Sequence, residues 1–216
     1  MWDSIETPTL HFSDEQEQLL KVATSFARAK FPLEQVRARI AAAADFDRVV
    51  WNEMAALGWL GIAVPEAFGG SGLGLAEVVA IAEPLGRHLA GTPLVSTTLV
   101  GQALVSAGTE AQQRAWLPKI CEGAVGALAL AEPHGDWNLE HLTGKATEQR
   151  DMLALSGDKT FVTDAASADI ALVSVSLHGA PALVLLDRAM LAGAEIERES
   201  VIDETRRSCR IKLDGI

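Results

Sequence analysis

The chain has 216 residues, 49% of them hydrophobic and 22% charged, with a formal net charge of −11. That length and balance fit one large or two small globular domains and exclude a disordered chain. The acidic excess, with no run of Lys or Arg to neutralise phosphates, excludes nonspecific binding to nucleic acid or to an anionic membrane surface.

The residues up to about His11 read as an untethered segment. Met1-Trp-Asp-Ser has neither the basic start nor the apolar run of a signal peptide, so a cytoplasmic location is expected. Cys121 and Cys209 lack Cys-x-x-Cys spacing, fit a reducing compartment, and read as core thiols. Ser13 and Gln16 form a capping box ahead of a helix with Leu19, Val22, Ala23, Phe26 and Ala27 at helical spacing, ending at Pro32. A second helix begins near Asp45, with Val49, Val50, Met54 and Leu57 as its apolar stripe, Trp51 in the core and Gly58 near its end. The stretch Gly69-Gly-Ser-Gly-Leu-Gly74 follows no strand and matches no nucleotide fingerprint, so it reads as a plain connection between helices. The next helix, Leu75 to about His88, carries Val78, Val79, Ile81, Ala82 and Leu85, with Pro84 expected to bend it.

No charge occurs between Leu89 and Thr109, but Thr92, Pro93, Ser96, Thr97, Thr98, Gln102 and Ser106 are too polar for a membrane span. A buried helix, or one lining a cavity, is expected there. Thr109 and Gln112 form another capping box, and that helix ends around Glu122-Gly123. From Val125 the period changes to that of strands, around 125–131, 144–148, 152–156, 159–163, 170–176, 182–187, 194–199 and 208–213. Gly157-Asp158 reads as the turn of a hairpin whose return strand is Lys159–Thr163. The expected fold is therefore α+β: an N-terminal all-helical domain, 1–123, then a small antiparallel β-barrel domain, 124–216.

Several alternative chemistries fail. His134, Asp136, Glu140 and His141 have metal-ligand residue types but no helical spacing, so no metal site is expected. No serine stands in a Gly-x-Ser-x-Gly elbow. The Arg206, Arg207 and Arg210 cluster reads as a solvated strand face. What remains is the stretch from Val125 to Asp169, where a strand stops at Pro133 and a second strand offers an aromatic face at Phe161 and a hydroxyl at Thr163. Together they form a plausible cradle for a flat ring with polar edges.

These residues resemble a family. Leu130-Ala-Glu-Pro133, Lys159 to Asp164 and Ala168-Asp169 are similar, in order, to the flavin-binding signature of the acyl-CoA dehydrogenases. Pro65-Glu-Ala-Phe-Gly-Gly70 resembles the family's Pro-Glu-x-x-Gly-Gly turn, and Gly108 to Gln113 with Leu117-Pro118 resembles its Gly-Thr/Ser-Glu-x-Gln helix. The resemblance implies FAD as cofactor, with Leu130, Ala131, Phe161, Val162 and Thr163 around its ring. It also implies an acyl-CoA substrate oxidised to the 2,3-enoyl-CoA, as in the β-oxidation of fatty acids or sterol side chains, with Trp137 on the substrate side. The uncharged helix, with Gly101, Ala103 and Ala107, would line an acyl tunnel. An electron-transfer acceptor protein and a homo- or hetero-oligomer of acyl-CoA dehydrogenase-type subunits are the implied partners, with no nucleic acid and no membrane span.

The departures are local. Ala131 replaces the family threonine, and Asp136, Trp137 and Asn138 stand where small residues let the backbone approach the cofactor's phosphates. No residue is assignable as the catalytic base, which the resemblance places in a C-terminal region or partner chain. The alternative function is a noncatalytic, flavin-poor partner subunit of a heteromeric enzyme.

Overall fold

The computed structural model describes residues 12–43, 45–150 and 152–216, so the expected N-terminal segment up to His11 lies outside the described residues. The first helix, α1 (Asp14–Lys30), opens at the expected capping box: the Gln16 N–H donates to Ser13 Oγ at 3.3 Å and the Ser13 N–H donates to Gln16 Oε1 at 3.0 Å. Pro32 ends α1 but also opens α2 (Leu33–Ala41), which sequence patterning did not anticipate; its φ of −62° is the value that the proline ring enforces and that a helix start accepts. In α3 (Arg48–Ala56), capped by Asp47, Val50, Trp51 and Met54 go inside while Val49 and Leu57 stay exposed. The bulky indole claims the interior, where its N–H finds the Gly123 carbonyl at 2.8 Å.

Ala23 and Ala27, small and fully buried, let α1 lie along α4 (Leu75–Arg87). The Gly69–Gly74 stretch links helices as expected, and the Gly74 N–H donates to Glu77 Oε2 at 2.8 Å. The uncharged stretch forms α5 (Leu94–Ala107), and the Thr109 box opens α6 (Glu110–Cys121). Among the described residues no helix is long and apolar enough to cross a membrane. Cys209 is buried and Cys121 half-buried.

The strands are β1 (Gly126–Ala129), β2 (Lys145–Gln149), β3 (Met152–Thr163), β4 (Ile170–Leu177), β5 (Ala180–Asp187), β6 (Glu195–Arg198) and β7 (Ser208–Asp214). A short helix, α7 (Arg188–Leu191), joins β5 to β6. The expected succession of helices then strands holds, and the sheet is mixed. β1 and β2 both run parallel to β4, pairing Gly126 with Ile170 and Lys145 with Ser176, while the remaining neighbours are antiparallel. β1 and β2 thus lie end to end beside β4, with residues 130–144 looping out between them. One expectation is corrected: Gly157-Asp158 makes no hairpin, because β3 runs through it unbroken. Gly157 serves close approach instead, since a Cβ there would lie 2.6 Å from Gly144 Cα.

One apolar cluster fills the curl of the sheet and another the helical part. A third joins them, with Val100, Leu104, Leu117 and Ile120 of α5 and α6 packing on Ile170 and Leu172 of β4. Gly126 permits that contact, because a Cβ would meet the Val100 side chain at 2.8 Å. α5 is thereby held across the ends of β1 and β3.

Candidate functional site

The looped-out segment begins with a buried ion pair. Glu132 and Lys159 have side chains 1% and 0% exposed, 2.7 Å apart. Glu132 Oε1 accepts from Lys159 and from the Gly144 N–H at 2.9 Å; Oε2 accepts from the Thr143 N–H at 2.8 Å, the Thr143 hydroxyl at 2.6 Å and His134 Nε2 at 3.0 Å. Burial pushes the Glu132 carboxyl up, but Lys159, Thr143 and Gly144 outweigh it and hold it at about 2. Burial lowers the Lys159 ammonium against the pull of Glu132. Lys159 also donates to Ser174 Oγ at 3.0 Å, and Ser174 donates to the Leu130 carbonyl at 3.1 Å. One knot thus fixes the end of β1, the start of β2, β3 and β4. The Thr160 N–H to Ala131 carbonyl bond, 3.0 Å, adds the last tie.

Beside this knot β3 bulges between Lys159 and Val162. Phe161 sits at φ +54°, a left-handed conformation that costs a non-glycine residue about 1–3 kcal/mol. Glu199 holds it there, accepting from the Phe161 N–H at 2.8 Å, from the Thr160 hydroxyl and from the Ser208 hydroxyl at 2.8 Å. Burial raises the Glu199 carboxyl, but these donors and Arg210 hold it below its ordinary value. The bulge turns the Phe161 ring outward, 60% exposed, while Val162 points into the sheet core. Ala168-Asp169 anchors the far end of β1: Asp169 Oδ2 accepts from the Val125 N–H at 2.8 Å and its own N–H donates to the Val125 carbonyl at 2.8 Å.

These strand ends and α5 enclose a pocket of about 340 Å³ lined by Leu128, Leu130, Ala131, Trp137, Phe161, Thr163, Val95, Ser96, Leu99 and Arg206. Its size falls within the ~300–1,000 Å³ usual for small-molecule sites. Five of the six residues expected at a site, Leu130, Ala131, Trp137, Phe161 and Thr163, come together here; Val162 has only its backbone to offer. The pocket face of α5 is Val95, Ser96 and Leu99. Gly101 lies instead toward Trp59 and Leu60, because α5 must bury its Val100–Leu104 side against β4. Ser96 Oγ donates toward Asp164 Oδ2 at 2.6 Å and lies 3.1 Å from the Pro93 carbonyl. Burial pushes the Asp164 carboxyl up, against the pull of Ser96, Arg206 and Arg207.

Trp137, 71% exposed, rides on the loop. The Asp136 N–H donates to His134 Nδ1 at 3.1 Å, so that ring carries its proton on Nε2, facing Glu132. Asp136 Oδ1 accepts from the Asn138 N–H at 2.8 Å and Oδ2 pairs with His141 Nδ1 at 2.7 Å; these bonds hold its carboxyl below the ordinary value. Among the described residues no group of three or more His, Cys, Asp or Glu is disposed to hold a metal ion.

Ser96, Leu99, Glu199 and Arg206 escaped sequence reasoning. The apolar Val95–Leu99 pair at i, i+4 spacing in the uncharged stretch was the available signal for the first two. Glu199 and Arg206 reach the site only through folding of the distant β6–β7 connection.

A helical layer seated on a curled mixed sheet, with a ligand-sized pocket at the seam, defines the class of protein. The model of the acyl-CoA dehydrogenase N-terminal domain matches residues 13–124. Mitochondrial isovaleryl-CoA dehydrogenase of Pongo abelii is 32% identical over 167 residues, 74% of this chain and 39% of that protein. Among solved structures, the Tcur3481-Tcur3483 steroid ACAD G363A variant superposes with TM-score 0.84 at 32% identity, covering 93% of this chain and 55% of that one. The ChsE4-ChsE5 complex from Mycobacterium tuberculosis superposes with TM-score 0.85 at 25% identity, covering 95% and 55%. The chain belongs to the acyl-CoA dehydrogenase family. It spans about half the length of those solved relatives, and less of the isovaleryl-CoA dehydrogenase.

Proposed function

We propose that the chain contributes the ring-binding wall and one acyl-binding wall of an FAD-dependent acyl-CoA dehydrogenase. The single observation that carries this reading is the convergence of Leu130, Ala131, Phe161 and Thr163 on one pocket facing the apolar side of α5. The donor set fits a flavin: Phe161 would give its ring a flat apolar face, and the Leu130-Ala131 backbone and the Thr163 hydroxyl would offer its polar edge hydrogen-bonding groups. When bound, the flavin supplies the hydride acceptor for oxidation of the acyl chain. Val95 and Leu99, exposed on the opposite wall, would pack against the alkyl part of a CoA thioester.

No carboxylate lines the pocket among the described residues, which supports a reading in which the base that removes the substrate's α-proton comes from outside them. General-base help is worth about 10²–10⁴-fold. The 216-residue chain alone is accordingly expected to bind FAD but to show no turnover with an artificial electron acceptor. FAD titration followed by flavin fluorescence tests the first half, and steady-state assays across short, long and sterol-type CoA esters test the second. Absence of FAD binding overturns the cofactor reading, and turnover by the chain alone overturns the placement of the base.

A second reading has its own observation. Ala131 supplies no hydroxyl and Asp136 lies in the loop assigned to phosphate approach, as expected of a flavin-poor subunit whose heteromeric partner holds the complete site. Under that reading FAD binds only after a partner chain is added.

A further inference from the structure

The pocket is apolar along Val95, Leu99, Leu128 and Leu130, but Arg206 stands on its lining and also on that of a neighbouring cleft of about 160 Å³. Among the described residues the Arg206 guanidinium touches no carboxylate. Acidic groups near it are engaged with other donors: Asp164 with the Ser96 hydroxyl, Asp203 with the Thr205 N–H at 3.0 Å and hydroxyl at 2.5 Å, and Glu199, which shares the cleft with Glu204, with Thr160, Phe161 and Ser208.

A purely alkyl ligand packed against Arg206 would strip water from the guanidinium and return no hydrogen bond, which is costly for a charged donor. An oxygen at the same place accepts from the planar fork. We propose that Arg206 is a specificity-determining residue that selects acyl groups bearing a hydrogen-bond-accepting oxygen remote from the thioester. This rests on the acyl-pocket reading above. A terminal carboxylate and an uncharged hydroxyl or keto oxygen share the required chemistry.

The test is calorimetric titration of the FAD-supplemented chain with straight-chain CoA thioesters from butyryl to decanoyl, and with the matching ω-carboxy and ω-hydroxy series. At one chain length an oxygenated ester is expected to bind about tenfold more tightly than its alkyl counterpart, the worth of one hydrogen bond to a charged group. Arg206→Met removes the preference and raises alkyl-ester affinity, because no guanidinium is left to desolvate, and Arg206→Lys keeps part of the preference. Preference for the ω-carboxy series alone identifies the ligand oxygen as anionic; equal preference for both series identifies it as a simple acceptor. If every series binds equally, or the preference survives Arg206→Met, the Arg206 assignment falls while the acyl pocket stands. If no thioester binds at any length, the acyl pocket itself falls and this inference with it.

Discussion

The two sides of the pocket mouth are held by opposite means. The sheet side, Leu130–Glu132 and Lys159–Thr163, is fixed by charges sealed from water: Glu132 and Lys159 satisfy one another and four strands at once. The loop side, His134–His141, touches that sealed pair only at its first residue, His134, and beyond it is held by a pair open to solvent, with the His141 and Asp136 side chains 63% and 42% exposed. Exposed pairs contribute about 0–1 kcal/mol, whereas a buried pair, once formed, is expensive to break. The wall assigned to the ring is therefore built for position, and the loop carrying Trp137 for adjustment.

The largest expected effect comes from breaking the sealed side. Lys159→Met leaves the Glu132 carboxylate buried without its counter-charge and is expected to cost about 3–5 kcal/mol, read as a lowered midpoint in urea unfolding. Adding Glu132→Gln recovers part of the loss, because a neutral amide needs no counter-charge. A cost below about 1 kcal/mol for the single variant would show that water reaches the pair.

Acid titration sharpens the same contrast. The folded-state value of Glu132, about 2, lies below its ordinary 4.5, so the unfolded chain binds the proton more readily between those values. Its contribution, on the order of 3 kcal/mol, is whole above pH 4.5 and drains away as the pH falls toward 2. Unfolding midpoints followed down that range are expected to drop for the natural chain and to drop less for Glu132→Gln. Parallel curves would mean that another carboxylate governs acid unfolding.

Glu199 ranks next. Glu199→Ala takes the acceptor from the Phe161 N–H and from the Thr160 and Ser208 hydroxyls, with an expected cost of about 1–3 kcal/mol. Its diagnostic is FAD affinity, which should fall by more than the stability loss explains, because Phe161 is no longer pinned at positive φ. Unchanged affinity would mean that the bulge holds itself.

This contrast also marks what the amino-acid sequence disclosed. The capping boxes at Ser13 and Thr109 are local and were legible, as was the change of period near Val125. Leu130, Ala131, Trp137, Phe161 and Thr163 of the pocket were legible because they cluster in two short stretches. α2 was hidden because Pro32 signals a stop and a start alike. Gly157-Asp158 looked like a turn because the sequence does not show that Gly144 passes within van der Waals reach. The parallel pairing of β1 and β2 with β4 depends on contacts across the sheet that no local pattern announces. Glu199 meets Phe161 across 38 residues and Asp164 meets Ser96 across 68, so neither pairing has a spacing to read.

The smallest stability effect, and the most informative affinity effect, is expected on the loop. Asp136 and Trp137 are exposed and their contacts stay within the loop and pocket rim, so Trp137→Ser with Asp136→Gly should change unfolding free energy by no more than about 0.5 kcal/mol. The double variant removes a negative charge from the expected phosphate approach and an indole from the pocket rim, and both changes favour an anionic dinucleotide. FAD affinity is therefore expected to rise, and to rise further at low ionic strength, since the charge part of the effect is screened by salt. Asp136→Gly alone should carry the salt-dependent share and Trp137→Ser the salt-independent one. Equal or weaker FAD binding by the double variant would place the phosphates away from this loop, leaving the sealed sheet side as the sole contribution of the chain to the cofactor.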